Sequence, residues 1–264
     1  AAAFVLLHKD STRVEQSRET IKQETIENEG KAYASRYKLQ VSLDTKKKVL
    51  SGTVCATIKN ATDEDLNRIC VRNWAAAILK GTTVKTEIFS AKIGKKNLQI
   101  TKKEDASVLY LSAANRLLVP ARSFVDVVFS FRTEIPKQKN RFGYVRFDGH
   151  EMYQLSFCFP SISLYQEGNW NENPYLGDND ETYVNEAADY DVTFLHPKKY
   201  TVAATGTECP AQEGTRITGK KLREFAAVVS DDFCRLDARE GKTDITILAP
   251  NYKKNEGYYK YSLR

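Results

Sequence analysis

The chain has 264 residues, enough for one large all-β domain or two smaller ones, each with a core. A hydrophobic content of 41% with 11% aromatics marks a folded globular chain and excludes a disordered one. The formal charge of +6 is uneven: residues 165–191 hold eight acids and no Lys or Arg, which leaves +14 on the rest. Most lysines stand singly or in short runs such as Lys46-Lys-Lys48 beside turn residues, where they solubilise strand ends. No nucleic-acid motif accompanies them, so nucleic acid is not an expected partner.

The first seven residues, AAAFVLL, are small and apolar. They fit the trimmed end of a signal or anchor helix, or a cloning scar, and they favour an extracytoplasmic or membrane-anchored parent with a tether upstream of residue 1. No window reaches the apolar length of a membrane span. Residues 11–30 read as the one helix: Ser11 or Thr12 caps it, Glu15 follows at capping-box spacing and Gly30 stops it. Its apolar stripe (Val14, Ile21, Ile26) is too narrow for a core helix, so it is a solvated linker.

From Tyr37 the period becomes two. Tyr37, Leu39, Val41 and Leu43 share one face, and Leu50, Gly52, Val54, Ala56 and Ile58 continue the pattern after the Asp44 turn. Further strands are expected at 66–72, 84–89, 96–101, 107–112, 123–132 (Phe124, Val128 and Phe131 among its apolar positions), 152–159, 190–195 and 200–205, then 214–219, 221–229 and 243–248. Residues 137–143 read as a basic loop. Residues 159–187 lack a sustained period but carry Tyr165, Trp170, Tyr175 and Tyr183, so they read as an ordered flap over a sheet. A dozen or so short alternating strands predict an antiparallel sandwich or saddle-shaped sheet.

Five cysteines (55, 70, 158, 209, 234) form no CxxC, which leaves a structural zinc site unsupported. Cys55 and Cys70 fall on the polar sides of their strands and flank a loop near residue 62. They are placed to face each other across a hairpin, although scattered half-buried thiols are the default.

Three stretches resemble the N-terminal domain of the M1 (gluzincin) zinc metallopeptidases: Phe159-Pro160; Tyr165…Gly168-Asn-Trp170…Pro174-Tyr175; and Asp189-Tyr-Asp-Val192…Pro197…Tyr200-Thr-Val-Ala-Ala-Thr-Gly206. Tyr37-Lys-Leu-Gln-Val-Ser-Leu-Asp44 and Leu50-Ser-Gly-Thr extend the resemblance upstream, so that it covers roughly 35–248. It implies an all-β fold, an antiparallel saddle-shaped β-sandwich preceded by one helix. The implied division is a tail and linker at 1–32, the β-domain at 33–248, and at 249–264 the start of a connection to a catalytic domain. That domain would carry the zinc and would be this domain's packing partner.

The chemistry of such a peptidase needs His-Glu-x-x-His, with two His one helical turn apart on the metal and the Glu as general base. The nearest approach is His150-Glu-Met-Tyr-Gln154. It has Gln for the second His, and on a strand those positions lie about 13 Å apart. His8 and His196 have no partner pattern either, so neither a metal site nor a catalytic set is expected in this chain. Asp178-Asn-Asp180 opens like a calcium loop, but Tyr183 and Asp189 occupy the places of its Gly and Glu, so solvated loop acids are the better reading.

The resemblance also implies that this domain lends a Gln, several residues before the Phe159-Pro160 step, to the pocket for a substrate's free amine, and this chain departs from that pattern. The matching position is Glu151, with Gln154 three residues off; oxygens of either type accept hydrogen bonds from an ammonium. The expected ligand is a peptide N-terminus. Tyr165, Trp170 and Tyr175 either stack on a ligand such as a sugar or pin the flap. The reading from another class is an extracytoplasmic β-sandwich binding or scaffolding module without peptidase activity.

Overall fold

A computed structural model describes residues 26–114, 116–137, 141–176, 184–250, 254, 256–257 and 261. The apolar start, His8, most of the expected helix and the centre of the acidic segment (Asp178, Asp180, Tyr183) lie outside the described residues. Residues 26–30, the described end of that expected helix, are not helical, and the left-handed Gly30 leads straight into a strand.

The described chain is mostly β, with several antiparallel sheets and almost no helix. In order, β1 (Lys31–Asp44) and β2 (Val49–Ala61) make a long hairpin, and β3 (Arg68–Arg72) leads into a five-residue helix, α1 (Trp74–Ile78). Four short strands follow, β4 (Thr86–Ile93), β5 (Lys96–Asn97), β6 (Gln99–Lys102) and β7 (Val108–Ser112), then the long β8 (Ser123–Glu134). β9 (Phe142–Phe147) and β10 (His150–Leu155) form a second hairpin. The aromatic segment supplies β11 (Ser161–Ile162), β12 (Tyr165–Gln166) and β13 (Asn169–Trp170). The last strands are β14 (Ala188–Leu195), β15 (Thr201–Ala204), β16 (Thr207–Cys209), β17 (Thr215–Leu222), β18 (Ala227–Ser230), β19 (Cys234–Glu240) and β20 (Thr243–Ala249).

The main sheet runs β16-β17-β14-β1-β2-β8-β4-β5, with the β12–β13 hairpin attached to β1. A second sheet runs β15-β18-β10-β9, a third β11-β3-β7-β6, and β19 pairs only with β20. The sheets are not wholly antiparallel, because β1 and β14 pair in parallel, Tyr37 beside Tyr190 and Val41 beside Phe194. The two-residue period decides what is buried: Leu39 and Val41 on β1, Val54 and Ile58 on β2, Phe129 and Phe131 on β8, and Val192 and Phe194 on β14. These join Ile69 and Leu111 of the third sheet and Tyr153 and Val229 of the second in one core. On β8 the odd positions face inward, so Phe124 is 46% exposed rather than a core residue.

Close approach fixes Gly52 as a glycine. A Cβ on Gly52 would overlap the Gln40 carbonyl oxygen and sit 3.1 Å from the Phe131 ring. Gly52→Ala is therefore expected to cost roughly 1–3 kcal/mol, by overpacking at the centre of the main sheet. Urea unfolding checks this, and an unchanged midpoint contradicts it.

All five cysteines are free. Cys55 and Cys70 do not meet, because β2 pairs with β1 and β8 whereas β3 belongs to another sheet. The buried Asn60 turns the chain between them: its side-chain amide donates to the carbonyls of Glu64, Val119 and Pro120. Cys70 is fully buried rather than on a polar side.

The segment expected as a flap is woven into the core. β11 extends the third sheet, β12 pairs with β1, and Phe159, Ile162, Leu164, Tyr165 and Trp170 are buried. Glu172, Glu186 and Asp191 each pair with a cation of the basic body, namely Lys103, Lys31 and Arg216.

Candidate functional site

Glu151 and Gln154 both lie on β10, but their spacing sends them to opposite faces of the second sheet. Glu151 shares its face with Tyr153 and borders an open groove of about 610 Å³, lined by Thr45, Arg146, Lys199, Tyr200 and Asp231 among others. Gln154 borders a separate depression with Arg141, Ala203 and Ala227. The two candidates do not form one site.

The hairpin that aims Glu151 turns at Asp148-Gly149. Both residues have positive φ (47° and 83°), and Phe147 stands opposite His150. The Glu151 side chain is 14% exposed and almost fully engaged. Oε2 accepts from Lys48 Nζ at 2.5 Å, Tyr153 Oη at 2.6 Å and Tyr200 Oη at 3.2 Å. Oε1 accepts from Arg146 Nε at 2.8 Å, and the Arg146 side chain is 69% exposed. Burial pushes the Glu151 carboxyl up, but the hydrogen bonds from Lys48, Tyr153 and Arg146 and the Lys48 charge more than offset it and hold it at about 2. Glu151 is an anion at any physiological pH.

Asp231 closes the groove from the end of β18. It accepts from the Glu151 backbone N–H at 2.9 Å and from Lys199 Nζ at 2.7 Å. Burial raises its carboxyl; the Lys199 contact and the Glu151 N–H outweigh that and keep it below the ordinary carboxylate range. His150 stands 3.5 Å from Asp231 and 3.8 Å from Asp232. Among the described residues no three His, Cys, Asp or Glu side chains converge as a metal site.

Two of the three aromatic candidates are packed into the core. Tyr165 and Trp170 face each other edge-on at 5.3 Å across the turn at Glu167-Gly168, each 7% exposed, and the Tyr165 hydroxyl donates to Glu64. Tyr175 is half-buried against Trp74, at 6.4 Å between ring centres. Tyr165 and Trp170 are too buried to stack on a sugar, whereas Tyr175 borders an open groove of about 390 Å³ with Ala77, Lys80 and Pro174. The buried thiols are poor nucleophiles: burial pushes both Cys70 and Cys158 up to about 12.

The sequence drew attention to Glu151 but not to its companions. Lys48 and Tyr200 lie 103 and 49 residues away along the chain, and only the folded sheets bring them together. Among the described residues no helix is long and apolar enough to cross a membrane. The chain matches no protein-family model and no curated protein sequence.

Proposed function

We propose that this chain is the non-catalytic N-terminal β-domain of an M1-like zinc metallopeptidase of the aminopeptidase type. In this reading it has the family's saddle-shaped sandwich, packs on a zinc-bearing catalytic domain and walls one side of the substrate cleft. Glu151 is the observation that supports it most. The residue at the position matching the family's amine-binding site is an ionised carboxylate on the rim of an open groove, and its Oε1 is held by the exposed Arg146. Such an oxygen accepts from a peptide's α-ammonium once the exposed Arg146 swings aside. The rival binding-module reading, with Trp170 as its contact, has less support, because Trp170 is buried against Tyr165.

The purified chain is expected to hydrolyse no aminoacyl reporter, with or without added zinc. Hydrolysis that a chelator abolishes would sink this reading.

A further inference from the structure

Lys48 sits at the end of the β1–β2 turn with φ at 56°, a left-handed conformation that costs a residue other than glycine. Its carbonyl accepts from the Ile135 N–H at 2.7 Å, which fixes the backbone there. Its side chain then leaves the main sheet for the second one. The ammonium donates to Glu151 Oε2 at 2.5 Å and to Tyr153 Oη at 2.7 Å. The same nitrogen lies 4.8 Å from the Tyr144 ring centre. Tyr153 is fully buried, and the Lys48 side chain is 16% exposed.

One carboxylate oxygen, one phenol oxygen and the ring face of Tyr144 around a single nitrogen are the fittings of an ammonium-binding site. The two oxygens demand N–H donors, which a quaternary ammonium lacks. The other cation at this carboxylate, Arg146, meets the opposite oxygen from the exposed side, 6.0 Å from the Tyr144 ring. The carbons of Lys48 act as a tether. Other charged groups near the seat are Asp231 and Lys199, which pair with each other.

We propose that Glu151, Tyr153 and Tyr144 form a primary-ammonium seat which the chain fills with its own Lys48, and that this seat accepts an external primary alkylamine when the lysine is cut back. The inference deepens the reading of Glu151 above and rests on it for one consequence only. In a peptidase, Lys48 is a tethered competitor that reserves Oε2 and leaves a substrate's amine the Oε1 edge, where Arg146 sits.

The test uses this chain alone, so it can fail while the peptidase reading stands, and the reverse. Lys48→Ala removes three carbons and the nitrogen, the atoms of n-propylamine. Lys48→Ala is expected to melt below the wild type and to regain stability saturably with n-propylammonium. Tetramethylammonium and n-propanol should not restore it, and the response should vanish in Lys48→Ala/Glu151→Gln. An equal response to all three additives, or no response, overturns the proposal. If Lys48→Ala does not fold, amine labelling of the native wild type decides. Lys48 should react with an N-hydroxysuccinimide ester about tenfold more slowly than the exposed Lys46 and Lys47, the ratio that ~1.4 kcal/mol of retention gives. Equal labelling overturns the proposal.

Discussion

Glu151→Gln is expected to lower the stability of the chain by about 3 kcal/mol at neutral pH, because it strands the Lys48 ammonium in a half-closed site. The loss comes less from the missing attraction than from the cation left behind. Removing the cation as well, in Lys48→Met/Glu151→Gln, should therefore cost less than Glu151→Gln alone. The pH dependence has a fixed sign. The folded carboxyl titrates at about 2, against roughly 4.3 in an unfolded chain. The stability that Glu151 contributes is full above the unfolded value and is lost as the pH falls through the folded one. The gap between wild type and Glu151→Gln should then be constant at neutral pH and close between about pH 4.3 and pH 2. Other depressed carboxylates, such as Asp191 and Asp231, titrate in both proteins and cancel in the difference. Paired urea titrations across that range measure it, and a gap that persists unchanged to pH 2 contradicts the account.

Arg72→Ala is the second large effect. Arg72 is buried and donates to the carbonyls of Asn171 at 3.0 Å and Asn173 at 2.7 Å, and to Ser107 Oγ at 3.2 Å. Its guanidinium carbon lies 4.0 Å from the Trp74 ring centre. These contacts clasp the aromatic segment to β3 and α1. Truncation takes a donor from both carbonyls, although Asn171 keeps the Ser163 hydroxyl at 2.6 Å; the lost hydrogen bonds cost about 1–3 kcal/mol together, and a desolvated cation–π contact of about 2 kcal/mol goes with them. Opposing this, a buried guanidinium costs free energy: burial lowers its pKa, and its Nε has no hydrogen-bond partner. The net expectation is a loss of about 3 kcal/mol, with faster amide exchange at Asn171, whose N–H donates to the Leu164 carbonyl. Arg72→Lys should rescue little, because a single ammonium cannot span both carbonyls. Unchanged exchange at Asn171 would show that the clasp is not what holds the segment.

Most of the sheet was legible because period-two burial is a local property. β1, β2, β8 and β14 could be read directly from alternating Tyr, Leu, Val and Phe. β9 was missed although Asp148-Gly149 is a hairpin signal, because Gly143 and the neighbouring basic residues read as loop. α1 is five residues long, with no side-chain cap, too short to show a helical period. The parallel β1–β14 pairing and the separation of Cys55 from Cys70 depend on which strands meet, and alternation does not encode that. At the site, position 151 was legible and its environment was not, since a carboxylate's function depends on donors brought from distant strands.

The most direct test of the central claim is to sequence the parent transcript beyond the codon for Arg264. The account expects His-Glu-x-x-His and a downstream Glu within roughly one further domain length. A frame that ends close to that codon, or continues with the zinc ligands replaced, contradicts the peptidase reading.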